Sequence, residues 1–309
     1  GAVLGPEAPL VAIGTAVGAA VVRTPGTPAK QVLMLVGAMA SAGAVLGNPL
    51  ITTVLLLEIA LIGGTQLAAP MVLLPCLAGL ASGYLLQVGV AAWTGLGSVK
   101  LSLPGVLAYP DVHLVDLVVG VPLAVLVAVV AVLARLAGTR VEGAARKAPL
   151  PWLAGSGLAV GVVAALAGLL VPGGAEMVLF AGQGSMGDYL ALTSVFAVVV
   201  LVAAKFVAFA VCMGGGFSGG SMFPAISIGT MLAAAAALVV PGTAIVALAA
   251  CAIAAATAGA QRLPFTAVLL GSLLTMAAGP APTVLAITGA VVGMLLRLAA
   301  ERRVPALRG

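Results

Sequence analysis

Charge is what this sequence has least of. Its 309 residues include 13 Lys and Arg, eight Asp and Glu and one His, so charged side chains make up only 7%. A soluble domain carries about a quarter charged residues, and a water-soluble enzyme is excluded. A mean hydropathy of +1.30 excludes a disordered chain. The three cysteines, Cys76, Cys212 and Cys251, lie in apolar runs without metal-ligand spacing and read as buried thiols. The single histidine, His113, stands in a polar loop with no partner motif. With one histidine and no clustered carboxylates, a membrane-embedded enzyme lacks a nucleophile–base pair or metal set, so no metal and no cofactor is expected. The basic residues are scattered and not interleaved with aromatics, which argues against a nucleic-acid partner.

What is present is small and apolar: 63% hydrophobic residues, 41 glycines and only 4% aromatics. Small residues let transmembrane helices approach closely. Continuous runs such as VVVLVAAKFVAFAVCM lack the alternation of a membrane β-barrel. The expected fold is an all-α integral membrane protein, a polytopic bundle of broken and tilted helices. Apolar segments fall at 9–22, 31–46, 49–63, 68–93, 114–137, 150–171, 189–213, 222–240, 243–259, 264–278 and 281–299. Several are shorter than the roughly 20 residues that cross a bilayer. They are interrupted by GPEAP (5–9), GNP (47–49), GGGFSGGSMFP (214–224) and RLP (262–264). Broken helices at membrane depth occur where backbone is buried in protein or lines an aqueous cavity, and they mark transport sites.

Two polar stretches separate the segments, a long loop at 94–116 and a basic loop at 135–150 with Arg135, Arg140, Arg146 and Lys147. Arg23 with Lys30, and Arg297, Arg302, Arg303 and Arg308, form two further basic clusters. The positive-inside rule places all three clusters, and the C-terminus, in the cytoplasm, and the 94–116 loop outside. Glu176 and Asp188 flank a loop and read as solvated.

The chain repeats itself at an offset of 215. Gly5, Pro9, Ile13, Gly14 and Thr15 match Gly220, Pro224, Ile228, Gly229 and Thr230, and Pro49 matches Pro264. Two related halves are therefore expected within one transmembrane domain spanning 1–309, with no soluble regulatory domain. Residues 1–113 are the remainder of a first, incomplete repeat and 114–309 the second. The chain opens directly in GAVLGPEAPL, with no signal peptide in view.

Glu7 heads an apolar helix expected to begin near Ala8 or Pro9. A helix N-terminus offers open N–H groups and about half a positive charge, and so attracts anions. A carboxylate there either caps the helix or competes with a diffusible anion and leaves on protonation. GGGFSGGSMFP, the repeat partner, ends in a second helix N-terminus near Ser221, Met222 and Phe223. It reads as a flexible linker or as the other half of a symmetric anion site. Glu58 closes the run PLITTVLLLE as a helix-end residue facing internal water or as an intramembrane functional carboxylate. Lys205, in LVAAKFVAF, can snorkel, pair with a carboxylate or add positive potential to an anion path.

These motifs together resemble the chloride channel (CLC) family of anion channels and proton-coupled exchangers. GPEAP is similar to that family's GxEGP, GGFSGGSMFPAISIG to its GGxFxP segment, and NPLITTVLLLEI and RLPFTAVLL to its two related helices that begin with APL. The order and spacing agree from residue 1 to about 300. The resemblance implies a homodimer with one pore per subunit and inverted-topology repeats in a bacterial inner membrane, surrounded by lipid and carrying chloride, with or without protons. It implies Glu7 as the gate. Backbone N–H groups of Gly5, Glu7, Ala8, Gly220, Ser221, Met222 and Phe223 would be the anion ligands. The departures are Pro6 and Ala8 within the first motif, the family's GSGIP serine motif, absent upstream, and Leu307 where a pore tyrosine is expected. The exchangers' proton-relay glutamate falls at Ile59, one residue after Glu58. Uncoupled or poorly coupled chloride flow is the expectation, with export of another halide such as fluoride, or a non-transporting paralogue, as alternatives.

Overall fold

The computed structural model describes residues 1–22, 24, 26–63, 69–95, 102–145 and 148–304, with 63 and 139–145 as backbone alone. Arg23, Arg146, Lys147, Leu307 and Arg308 lie outside the described residues, and Arg140 lies in the stretch described as backbone alone. The described residues are helical throughout, apart from loops, short 3-10 turns and one isolated bridge. The chain divides into two compact units. One comprises residues 6–101, the other residues 1–5 with 102–309.

The smaller unit holds α1 (Glu7–Val21), α2 (Pro28–Leu46), α3 (Pro49–Gly63) and α4 (Pro70–Thr94). α2 packs on α1 and α4, and α3 touches both α2 and α4. Backbones meet where side chains are missing. A Cβ on Gly14 would run into the Gly37 carbonyl, and one on Gly37 into the Gly14 carbonyl. The GNP break between α2 and α3 is a stop and a start. Gly47 takes φ 58° at the end of α2, Asn48 Oδ1 accepts from Leu50 N–H at 2.9 Å and Ile51 N–H at 3.3 Å, and Pro49 opens α3. These are the left-handed C-terminal glycine, the Asx N-cap and the first-turn proline.

The larger unit holds α5 (Leu114–Ala145), α6 (Pro149–Leu170), the one-turn helices α7 (Gly174–Val178) and α8 (Met186–Leu190), α9 (Val195–Gly214), α10 (Met222–Val239), α11 (Ile245–Gln261), α12 (Pro264–Leu274) and α13 (Pro282–Arg303). α11 is its centre: every residue from Val246 to Ala260 is buried. Its alanines and Gly259 admit α5, α10, α12 and α13 on all sides. A Cβ on Gly289 of α13 would strike the Cys251 carbonyl of α11.

Three expectations change. The basic loop at 135–150 is helix as far as Ala145, because α5 simply runs on. The apolar segment expected at 189–213 becomes helix only at Val195, where the Ser194 hydroxyl accepts from Ala197 N–H; α8 and a short loop precede it. Arg297 is no topology flag: it is 1% exposed inside the helix packing.

Seven of these helices (α2, α4, α5, α6, α9, α10 and α13) are long and apolar enough to cross a membrane, while α1, α3, α11 and α12 are shorter. The polar connection ahead of α5 is tied down by hydrogen bonds. Leu103 N–H donates to Leu274 O at 2.8 Å and Tyr109 N–H to Ala278 O at 2.7 Å. The Tyr109 hydroxyl donates to Asp116 Oδ2 at 2.7 Å, and Asp116 Oδ1 accepts from Ala244 N–H at 2.8 Å. Burial, together with the Asp116 carboxylate, pushes the Tyr109 phenol above its ordinary value. His113 does have a partner, Asp116, at 3.6 Å.

Candidate anion site

The two glycine motifs meet. Gly5 N–H donates to Gly220 O at 2.7 Å and Gly220 N–H to Gly5 O at 2.8 Å, an antiparallel bridge between segments 215 residues apart. Residues 1–5 lie along the larger unit: Val3 N–H donates to Cys212 Sγ at 3.2 Å, and Val3 is fully buried. Gly216, at φ 93°, adopts a turn that side-chain-bearing residues rarely take. Gly219 is a contact glycine, since a Cβ there would run into Leu4. GGGFSGG is therefore an ordered turn shaped by contact with the N-terminal segment.

The bridge corrects the ligand set. The N–H groups of Gly5 and Gly220 donate to each other's carbonyls and are removed from the expected anion ligands. Helix α10 starts at Met222 with Ser221 as its N-cap, and α1 starts at Glu7, one residue earlier than expected, with Pro6 as its N-cap. Pro9 and Pro224, in the first turns, carry no N–H. The candidate donors are Glu7 and Ala8 at α1, and Ser221, Met222 and Phe223 at α10.

Ser221 is an unusual cap. Its hydroxyl makes no capping bond to its own helix. Instead, Ser221 Oγ accepts from Gln261 Nε2 at 2.7 Å. Gln261 is the last residue of α11, and sequence reasoning passed over it. The only trace was its place immediately before the RLP break. Arg262 follows at φ 61° and closes α11. Its guanidinium lies 3.3 Å from Glu301 Oε1, to which the buried Arg297 donates at 2.7 Å. Arg135 Nη1 donates to Ala260 O at 3.4 Å.

Lys205 does not snorkel, and among the described residues its partners are backbone carbonyls and a phenol oxygen. It is fully buried, and Nζ donates to the carbonyls of Met177 (2.9 Å), Val178 (3.3 Å) and Phe180 (3.4 Å), with Tyr189 Oη at 3.1 Å. It satisfies the open carbonyls where α7 ends, the role a cation plays at a helix C-terminus. Ser227, in the second turn of α10, donates to Ala181 O at 2.9 Å nearby. Glu176 and Asp188 are exposed, as expected, in the first turns of α7 and α8.

Glu58 is not at a helix end, because α3 continues to Gly63. It is 4% exposed, whereas Ile59 is 40% exposed. Neighbouring positions on a helix point about 100° apart, and these two face different surroundings. Cys76, Cys212 and Cys251 are buried free thiols. Among the described residues, no cluster of three His, Cys, Asp or Glu could hold a metal ion.

A family model described as voltage gated chloride channel matches residues 1–296. No curated protein matches the chain in sequence. Among solved structures, the chain is similar to the crystal structure of a slow cyanobacterial Cl−/H+ antiporter. The TM-score is 0.68 and the identity 17%, over 98% of this chain and 73% of that one. At that identity the likeness establishes the fold. The family match over nearly the whole length carries the rest: this multi-pass membrane protein belongs to the voltage-gated chloride channel family of anion transporters.

Proposed function

We propose that the chain conducts a small inorganic anion, chloride foremost, through a site formed at helix N-termini and gated by Glu7. The observation that carries this reading is the Gly5–Gly220 bridge. It joins the two motifs that sequence alone nominated, each directly ahead of a helix start. The ligands are the backbone N–H groups of Glu7, Ala8, Ser221, Met222 and Phe223, which offer partial positive charge without a fixed cation and so bind an anion weakly enough to release it. Glu7, as a carboxylate in the first turn of α1, competes with the anion and withdraws on protonation. The protein works as a homodimer in a bacterial inner membrane with a cytoplasmic C-terminus. Anion flow is uncoupled or poorly coupled to protons, since Ile59 cannot carry one and Glu58 faces elsewhere.

The test is efflux from liposomes holding the full-length gene product, with chloride, nitrate and fluoride compared. Chloride flux is expected, and Glu7→Gln should raise it several-fold and flatten its pH dependence. A flux and pH profile unchanged in Glu7→Gln would reduce Glu7 to a helix cap. Fluoride-selective flux would replace chloride as the cargo, and no flux of any anion would remove the transport reading. With voltage clamped, sustained uphill proton movement driven by a chloride gradient would overturn the uncoupled mode. Its loss in Glu58→Gln would then make Glu58 the proton carrier.

A further inference from the structure

We infer that Gln261 is a positioning residue for the anion site: its side-chain amide holds the Ser221 hydroxyl as a hydrogen-bond donor to the bound anion. The inference rests on the proposed anion site at the start of α10.

The argument begins with what an N-cap serine normally does. Its oxygen accepts from a backbone N–H one turn into the helix and satisfies one of the orphan donors there. Ser221 has φ −94° and ψ −4°, a helical conformation rather than the extended one typical of caps, and makes no such bond. Two consequences follow. The first-turn N–H groups of α10 are not claimed by their own cap, and the hydroxyl faces Gln261 instead.

The direction of that bond sets what the hydroxyl can offer. A serine hydroxyl has one proton to donate and two lone pairs. Gln261 Nε2 fills a lone pair at 2.7 Å. An amide nitrogen accepts nothing, so the Ser221 proton has to point away from Gln261. An anion held by the backbone N–H groups of Ser221 and Met222 is an acceptor within reach of the same residue. The amide thus biases a two-way group into a donor and adds a neutral side-chain ligand to a set of backbone donors.

The backbone that carries Gln261 is well held. Arg262 N–H donates to Ala258 O at 3.1 Å, so the helix closes immediately after Gln261. Arg135 donates to Ala260 O, and Arg262 is tied to Glu301, which also holds Arg297. Two arginines, Arg262 and Arg297, contact the one Glu301 carboxylate, and a third, Arg135, bonds the Ala260 carbonyl next to Gln261, so the surroundings of Gln261 carry excess positive charge. That favours an anion over a cation as the occupant above it.

The experiment measures chloride and nitrate binding calorimetrically on the purified full-length protein, with thermal unfolding recorded for each variant. Ser221→Ala and Gln261→Leu should each weaken chloride about tenfold, the effect of one hydrogen bond to a charged group. The double variant should be no weaker than Ser221→Ala alone, because both remove the same donor. Gln261→Glu, nearly isosteric, should weaken chloride more than Gln261→Leu, because a carboxylate accepts the Ser221 proton and reverses the bond. Ser221→Thr should keep wild-type affinity. The chloride-to-nitrate ratio should fall in Gln261→Leu, which a merely structural role would not produce. Wild-type chloride affinity in Gln261→Leu or Gln261→Glu, or additive losses in the double variant, would overturn the inference while leaving the anion site standing. A wild-type protein that binds neither anion would overturn both.

Discussion

Helices α1–α4 and α10–α13 are two answers to one design. Each helix of the second set starts 212–217 residues after its counterpart in the first. Within each set the second helix packs on the first and the fourth, and the third touches the second and fourth. Yet α11 is buried along its whole length, while its counterpart α2 is buried only from Ala38 onward and at few positions. Likewise α10 is buried on most of its surface, whereas α1 buries only Gly14 and Gly18 and exposes Ile13, Val17 and Val21. The difference comes from the neighbours. α5 and α9 pack on the second set within its own unit, and the alanines of α11 let those neighbours close in. The same motif therefore carries different loads in the two places. In one it is the core of a unit. In the other it offers an apolar face that only hydrocarbon or further protein can cover.

The turns between second and third helices make the comparison sharpest. Gly47–Asn48–Pro49 and Arg262–Leu263–Pro264 occupy the same place in each set, and Gly47 and Arg262 share a left-handed φ of 58° and 61°. Glycine takes that conformation without a Cβ penalty, whereas arginine carries about 1–2 kcal/mol of it. The arginine is retained where its side chain reaches Glu301. One set ends its helix by local chemistry and the other by tertiary contact.

Five substitutions break or sharpen this contrast, measured as thermal unfolding of the purified protein in detergent. The largest effect is expected for Glu301→Gln. It removes the carboxylate that neutralises the buried Arg297 and also holds Arg262, and should cost about 3 kcal/mol or more. A shift within error would mean the arginine cluster is solvated. Next, Gly289→Ala and Gly37→Ala both force a Cβ onto a facing carbonyl and should each cost about 1–3 kcal/mol. Gly289→Ala should cost more, because α11 is enclosed on all sides and cannot shift away; the reverse order would contradict the burial difference. The smallest effects separate the turns. Gly47→Ala should cost about 1 kcal/mol, while Arg262→Gly should stay within about 0.5 kcal/mol of the parent, since relief of strain offsets a half-exposed ion pair. Equal losses at both would mean that the two turns are held alike.

Much of this was legible in the order of residues. Hydropathy gave a helical membrane protein, because each span must satisfy its own backbone hydrogen bonds in lipid and only continuous apolar helix does so at this composition. The prolines and glycines at GPEAP, GNP and RLP marked helix ends, because their backbone constraints act within a few residues. The repeat followed from spacing and the family from the resemblance of its motifs, and Glu7 and Ser221 stand out in the sequence itself by their place at helix starts. The tertiary structure decided what depends on partners distant in sequence. It removed the Gly5 and Gly220 N–H groups from the donor set by pairing them across 215 residues. It turned Lys205 into a clamp on the end of α7, and withdrew Arg297 from the basic surface into the packing around α11. It brought Gln261 to Ser221, which no local pattern foretells. A side chain's periodicity is fixed by its own helix, but the polar group that claims it is chosen by packing, and packing is written in the shapes of helices far along the chain.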